Sequence, residues 1–159
     1  MARTFEDFEY TKLGAFTFHV LRDPRIIRRQ LLKWITLEWE HDHALGPEEY
    51  WTVEWLGRLP QMQFSLKVLR LSEIRPRPDL MAYAKPGYSF IAELEERVKE
   101  REQAVGRGCS VEPLLVDGSH DMELMDGYVR YTLLRRHRQR TAYAYVGIAR
   151  EGARGRARS

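Results

Sequence analysis

Cysteine is almost absent from this sequence: Cys109 is the only one among 159 residues. A single thiol excludes an internal disulfide framework and any zinc or iron–sulfur site built on clustered cysteines. Apolar runs are also short, and none approaches the about 20 residues that a membrane-spanning helix needs. The first residues, 1–6, lack the apolar core of a signal peptide. We therefore expect a cytoplasmic protein with no membrane contact.

Lysine is scarce as well, with five residues against 21 arginines, and charge is unevenly distributed. Of the net charge of +3, residues 127–159 carry +8 and the preceding 126 residues carry −5. Residues 150–159 have no apolar periodicity and are predicted to be a disordered basic tail. Such a tail either keeps the protein soluble or binds nucleic acid through its phosphates, so nucleic acid is an expected partner only through this segment.

The chain changes character near residue 60. Before this point the sequence is rich in tryptophan and helical in pattern, and after it apolar and polar residues alternate as in strands. Asp23 and Pro24 are predicted to begin one helix, and Gly46 begins a second that Gly57 ends. Residues 5–20 fit a short strand or hairpin. We predict an N-terminal helical extension, 1–60, packed on a core of residues 61–149.

The core is predicted to be α+β, with one sheet and helices packed on it. Its elements follow in the order strand, loop, helix, strand, strand, helix, strand. The predicted spans are a strand at 64–68, a helix from Ser89 to Gly106, strands at 111–116 and 121–125, a helix that begins at Asp126–Gly127, and a strand at 141–148.

The junction between the strand ending at Asp126 and the following helix is a natural anion site, because the first amides of a helix lack acceptors and carry partial positive charge. Gly127 has no Cβ, so a phosphate could approach its backbone closely. Arg130, in the first turn, could clamp phosphate oxygens. Asp126 could cap the helix, bind Mg²⁺ or accept a proton. The simpler interpretation is an aspartate cap beside an exposed arginine.

Three segments together resemble the ParB/sulfiredoxin superfamily. They are Lys67-Val-Leu-Arg-Leu-Ser-Glu-Ile-Arg-Pro76, Val111-Glu-Pro-Leu-Leu-Val116 and Leu124-Met-Asp-Gly-Tyr-Val-Arg-Tyr-Thr-Leu-Leu134. The resemblance covers about residues 64–149. It implies a ParB/sulfiredoxin-like mixed sheet with packed helices and a nucleotide-binding function, whereas residues 1–60 match nothing in this superfamily.

The residues of the turn discriminate among the members of this superfamily. Sulfiredoxins carry a catalytic cysteine inside the turn, but Cys109 lies outside it. Chromosome-partition ParB proteins have a Gly-Glu-Arg-Arg turn and a helix-turn-helix domain, and neither is evident here. The turn is most similar to the Asp-Gly-His-His-Arg turn of the free-standing serine kinases. Asp126, Gly127 and Arg130 match that turn, while Tyr128 and Val129 replace its two histidines.

The resemblance implies a small-molecule kinase that transfers phosphate from ATP or ADP to the hydroxyl of a serine-like or other metabolite, with Mg²⁺. Asp79 would be the catalytic base, one position later than the kinase pattern places it, and Glu73 is the fallback base. Asp126 is implied as a second catalytic residue and as the Mg²⁺ ligand. The implied nucleotide- and phosphate-binding residues are Gly127, Tyr128, Arg130 and Lys85, the last in a loop at 82–88 that could act as a lid.

A second interpretation remains open at this point: a non-enzymatic or NTP-hydrolysing ParB-like module that binds nucleotide and, through the basic tail, DNA. Two other features are discounted. His41 and His43 flank Asp42, but residues two apart on a helix point in different directions, so no metal site is predicted there. The four tryptophans have helical spacing and are predicted to lie in the core; they are Trp34, Trp39, Trp51 and Trp55.

Overall fold

The computed structural model describes residues 8–45 and 50–150. Two features of the sequence therefore fall outside the described residues: the predicted start of the second helix at Gly46, and all of the predicted basic tail except Arg150. No helix within the described ranges is both long and apolar enough to span a bilayer.

The N-terminal segment combines a hairpin with two helices. Strands β1 (Glu9–Leu13) and β2 (Phe16–Val20) pair in antiparallel fashion, and α1 (Pro24–Leu45) follows. The Asp23 carboxylate accepts a hydrogen bond from the Arg25 amide at 2.9 Å, so the predicted helix cap is confirmed. Helix α2 (Tyr50–Arg58) runs on into a 3₁₀ turn, Leu59–Gln61. The prediction that Gly57 ends this helix was wrong, because Gly57 does not adopt the left-handed conformation of a helix-terminating glycine.

A mixed four-stranded sheet forms the centre of the molecule, in the order β3 (Met62–Arg70), β8 (Thr141–Ala149), β6 (Leu114–Asp117) and β7 (Glu123–Asp126). Strand β8 is antiparallel to β3 and parallel to β6, and β6 is antiparallel to β7. The remaining elements are the short helix α3 (Pro78–Met81), the two-residue strands β4 (Ala84–Lys85) and β5 (Tyr88–Ser89), and the helices α4 (Phe90–Gly106) and α5 (Tyr128–Arg136).

The predicted fold class is confirmed: a mixed sheet with helices packed on it, its elements in the predicted order. The two middle strands begin later than predicted, at Leu114 and Glu123. The chain before β7 has a tight turn instead, since Asp121 and Met122 have φ angles of 53° and 58°, which an extended strand does not allow.

The N-terminal segment contacts the sheet region through both its hairpin and its helices. Val111 pairs with Phe18 of β2 in a parallel bridge. Arg28 of α1 donates hydrogen bonds to the carbonyls of Pro60 and Met62, at 2.9 and 3.2 Å. The domain boundary at residue 60 stays a prediction. Of the four tryptophans, three are buried as predicted, whereas Trp34 is only half-buried.

Candidate functional site

The strand-to-helix junction is present at the predicted place. Strand β7 ends at Asp126, Gly127 is the residue before α5, and its φ is 103°. The first amide in α5 with a helical backbone acceptor is that of Tyr131, which donates to the Gly127 carbonyl at 2.8 Å. The three amides before it have no intrahelical acceptor, and their N–H groups point out of the helix at its N-terminal end.

Asp126 does not cap this helix, which excludes the simpler interpretation of the junction. Its carboxylate accepts a hydrogen bond from Arg130 at 3.1 Å, and the arginine side chain is only 13% exposed. Arg130 also donates to the Pro113 carbonyl at 3.3 Å and lies 3.9 Å from the Glu112 carboxylate. Its Nε is buried and has no hydrogen-bond partner in the described part of the chain. A buried donor without an acceptor costs about 1–3 kcal/mol, so the protein groups around this guanidinium do not satisfy it completely.

The space over Gly127 is occupied by the protein itself. A Cβ built on this residue would lie 2.8 Å from Arg130 Nη2 and 2.8 Å from Leu114 Cδ2. Direct approach of a phosphate to the Gly127 backbone stays a prediction, and on the side where a Cβ would lie the guanidinium already packs. Gly127 is required by its positive φ and by this close packing.

Tyr128 is buried, with 9% of its surface exposed. Its hydroxyl donates to the Leu124 carbonyl at 2.8 Å and accepts from the Arg77 amide at 3.1 Å. Burial raises the pKa of this phenol above its ordinary value. The hydroxyl is thus committed to the interior, and Tyr128 offers a phosphate only its backbone amide at the start of α5.

The junction borders a cleft of about 830 Å³ between α1, α2, α4 and the start of α5, called here the junction cleft. Four cationic side chains line it: Lys85, Arg97, Arg101 and Arg130. Lys85 lies on the small β4–β5 hairpin, with its ammonium 5.9 Å from the centre of the Tyr88 ring. The predicted lid segment is packed on α2, since Tyr83 contacts both Trp51 and Tyr88 with ring centres 5.0 and 5.8 Å apart.

A second cleft, of about 710 Å³, adjoins the first along α1 and is called here the α1 cleft. Its own lining includes His19, Trp34 and Leu37. Five charged residues line both clefts, which therefore meet at a common wall; they are Glu38, Asp42, Arg97, Arg101 and Arg130.

Of this wall the sequence analysis predicted only Arg130, and Asp42 drew notice only as the middle of a rejected metal motif. The pKa of its carboxyl is raised, first by partial burial and then by the negative charge of Glu38, with Asp126 adding to the effect. The α1 helix and the β7–α5 junction, more than 80 residues apart in sequence, thus bring carboxylates to one cleft.

The two predicted bases do not lie in either cleft. Asp79 accepts hydrogen bonds from the Arg77 guanidinium at 2.7 and 3.0 Å and from the Tyr50 hydroxyl. The paired arginine holds the pKa of the Asp79 carboxyl well below its usual range, which makes it a poor proton acceptor. Glu73 is exposed and paired with Arg70 at 3.2 Å. The geometry favours neither as the base.

The ion pair between Asp79 and Arg77 leads us to a prediction about how stability depends on pH. Because its folded-state pKa is depressed, the carboxylate stabilises the fold above its unfolded pKa of about 3.9, and this contribution is lost as pH falls below that value. We expect Asp79→Asn to lower the unfolding midpoint at pH 7 and to lower it less at pH 3. Urea unfolding of both proteins at the two pH values measures this. An equal loss at both would mean that the effect is not due to the charge.

The residues at the junction could give Mg²⁺ one carboxylate ligand but not a complete set of protein ligands. No three His, Cys, Asp or Glu side chains of residues 8–45 and 50–150 are grouped to hold a metal ion. Mg²⁺ does not need such a group, since it commonly keeps several waters and binds one or two carboxylates together with substrate phosphates. The Asp126 carboxylate at the edge of the junction cleft suits that role, and the Mg²⁺ site stays a prediction.

A buried ion-pair network, also missed by sequence reasoning, fixes α2 to the β6–β7 hairpin. Arg58 donates to Asp117 at 2.8 Å and to Glu123 at 2.9 Å. The two acidic residues are only 1% and 6% exposed. Glu123 also accepts a hydrogen bond from the indole of Trp55, which lines the junction cleft. The network thereby positions one wall of that cleft.

Comparisons with known proteins add the following. No protein-family model matches this sequence, and no curated protein matches it. Two solved structures of a pNOB8-like ParB N-domain are similar to it. One is 11% identical over 56% of this chain, with a TM-score of 0.41, and the other is 14% identical over 58%, with a TM-score of 0.40. The match spans 31% and 30% of those chains, so just over half of this chain is similar to about a third of each of them.

Proposed function

We propose that this protein binds a nucleotide in the junction cleft and transfers a phosphate from it to a hydroxyl acceptor, with ATP or ADP as the donor. The observation that carries the proposal is the position of Arg130. It lies in the first turn of α5, next to amides without helical acceptors, and faces a cleft with three further cations, Lys85, Arg97 and Arg101. Cations and helix N-terminal amides together suit a polyphosphate.

The cleft also offers a place for a nucleobase. A volume of about 830 Å³ is within the range of sites that hold molecules of nucleotide size. Half-buried Tyr88 and Phe90 and buried Trp51 line the part formed by α2, β5 and the start of α4. Aromatic faces stack with any base, so this wall supports binding without fixing which nucleotide is preferred.

Phosphoryl transfer needs positioning and charge neutralisation more than covalent chemistry from the protein. Arg130 and the α5 amides would hold the phosphate chain, and Arg97 and Arg101 would face its negative charge from α4. Mg²⁺, when bound with the nucleotide, would neutralise phosphate charge further, with Asp126 as its ligand.

The test is nucleotide affinity, measured by calorimetry with ATP, ADP and CTP in the presence of Mg²⁺. Loss of a charged hydrogen-bonding partner costs about 1.5–3 kcal/mol, so Arg130→Ala should weaken binding by about 10- to 100-fold. Arg130→Lys, which keeps the charge but not the planar fork, should recover part of that loss. Arg107→Ala is the matched control, since this exposed arginine follows α4 outside both clefts. Unchanged affinity in Arg130→Ala would refute the proposed phosphate contact.

A non-catalytic nucleotide- and DNA-binding module is the second candidate. The observation that favours it is a group of four exposed arginines at the end of α5 and before β8: Arg135, Arg136, Arg138 and Arg140. Mass spectrometry of reactions with ATP and a panel of hydroxylated metabolites separates the two functions. A phosphorylated product supports transfer, whereas nucleotide binding without product, together with DNA binding that weakens steeply with salt, supports the module.

A further inference from the structure

The common wall of the two clefts suggests where a second substrate binds. A transferase of the kind proposed above needs a donor site and an acceptor site that meet at the reacting phosphorus. The junction cleft and the α1 cleft have this relation, because Arg97, Arg101 and Arg130 line both. A terminal phosphate held by these three arginines would be reachable from the α1 cleft.

We infer that the acceptor is an alcohol bound in the α1 cleft and that Asp42, on the common wall, is the general base that activates its hydroxyl. This inference rests on the proposed function. It deepens that function by naming the acceptor site, the class of acceptor and the base.

Asp42 and Glu38 are the two carboxylates of the common wall, and Glu38 already has an interaction partner. Asp126 is already paired with Arg130 at 3.1 Å, and Asp79 lies outside both clefts. Within the described chain, Asp42 forms no hydrogen bond or ion pair, so its oxygens are open to a substrate hydroxyl. Its raised pKa also makes it a better proton acceptor than Asp79, whose pKa is lowered.

The class of acceptor follows from the two apolar residues among the five that line only the α1 cleft, the others being His19, His41 and Glu112. Trp34 is half-buried and Leu37 is 57% exposed, so one side of this cleft presents apolar surface to solvent. An alcohol with an aromatic or branched aliphatic group would bury these side chains. We therefore expect such an amphipathic alcohol as the acceptor.

The transfer balances with the donor named above. The hydroxyl proton passes to a carboxylate oxygen of Asp42 as the hydroxyl oxygen forms a bond to the terminal phosphorus. The bond from that phosphorus to the bridging oxygen breaks, and the nucleotide leaves with one phosphate fewer. Asp42 then releases its proton to water, and the product is the phosphate monoester of the alcohol.

The experiment compares the parent protein with Asp42→Asn and Leu37→Ser, and uses Glu40→Gln as the control, because Glu40 is an exposed carboxylate of α1 outside both clefts. Calorimetry gives the nucleotide Kd, and product formation from a panel of amphipathic alcohols and sugars gives kcat and KM. We expect Asp42→Asn to leave the Kd within about 3-fold and to lower kcat by about 100-fold or more. Leu37→Ser should raise the KM of amphipathic alcohols at least about 5-fold, at unchanged Kd.

The outcomes separate this inference from the proposed function. Absence of nucleotide binding by the parent protein would refute the proposed function itself. Turnover by the parent with full activity in Asp42→Asn, above all if Asp79→Asn abolishes it, would overturn the base assignment while phosphate transfer stands. Preference for sugars, or a KM insensitive to Leu37→Ser, would overturn the acceptor site.

Discussion

Replacing Arg58 with alanine is expected to lower the free energy of unfolding by about 3–5 kcal/mol. The change removes the partner of two buried carboxylates, Asp117 at 2.8 Å and Glu123 at 2.9 Å, which are 1% and 6% exposed. Each carboxylate would lose its short charge pair, although Asp117 still accepts from the Ser119 amide and Glu123 from the Trp55 indole. Urea unfolding followed by far-ultraviolet circular dichroism measures the loss.

Two further variants test whether the loss of stability in Arg58→Ala depends on the burial of its ion pairs. Arg136→Ala removes an exposed arginine paired with Glu95 and should change stability little, because exposed ion pairs are weak in water. Adding Asp117→Asn and Glu123→Gln to Arg58→Ala should restore part of the loss, since neutral amides are cheaper to bury than carboxylates. If Arg58→Ala and Arg136→Ala had the same small effect, the network would not hold α2 in place.

Gly127→Ala is expected to destabilise the protein by about 1–3 kcal/mol through its backbone conformation alone, because an alanine is strained at a φ of 103°. The added methyl would also lie 2.8 Å from Arg130 Nη2 and force the guanidinium to move. We therefore expect nucleotide affinity to fall as it does in Arg130→Ala. Thermal unfolding measures the loss of stability, and calorimetry measures the loss of affinity.

Gly57→Ala is the matched control, and it is expected to raise stability where Gly127→Ala lowers it. Gly57 lies inside α2, and a Cβ built there meets no atom within 4 Å. Alanine in a helix is favoured over glycine by about 0.5–1 kcal/mol, so this variant should be stabilised and should bind nucleotide as the parent does. A Gly127→Ala protein as stable as Gly57→Ala would show that the junction does not need its glycine.

The N-terminal helices α1 and α2 line part of the site, although the resemblance does not extend to them. The resemblance to known motifs covers only residues 64–149, yet Asp42, Trp51 and Trp55 of α1 and α2 line the junction cleft. Five of the ten residues that line the proposed acceptor site belong to α1.

The sequence by itself determined features that depend on neighbouring residues. The Asp23 cap, the order of strands and helices and the glycine at the junction could all be predicted, because capping, periodicity and a positive φ are local properties. Two predictions of this local kind were wrong: Gly57 continues its helix, and strand β7 begins late because a tight turn precedes it.

Only the tertiary structure decided which charged groups meet. Arg58 pairs with carboxylates about 60 residues away, Asp42 shares a cleft with Asp126, and Asp79 is neutralised by Arg77 rather than directed at a substrate. The sequence shows which side chains are charged, but it does not show which of them form pairs. That choice follows from how the helices pack on the sheet, since packing sets both the distance between charges and the water that screens them.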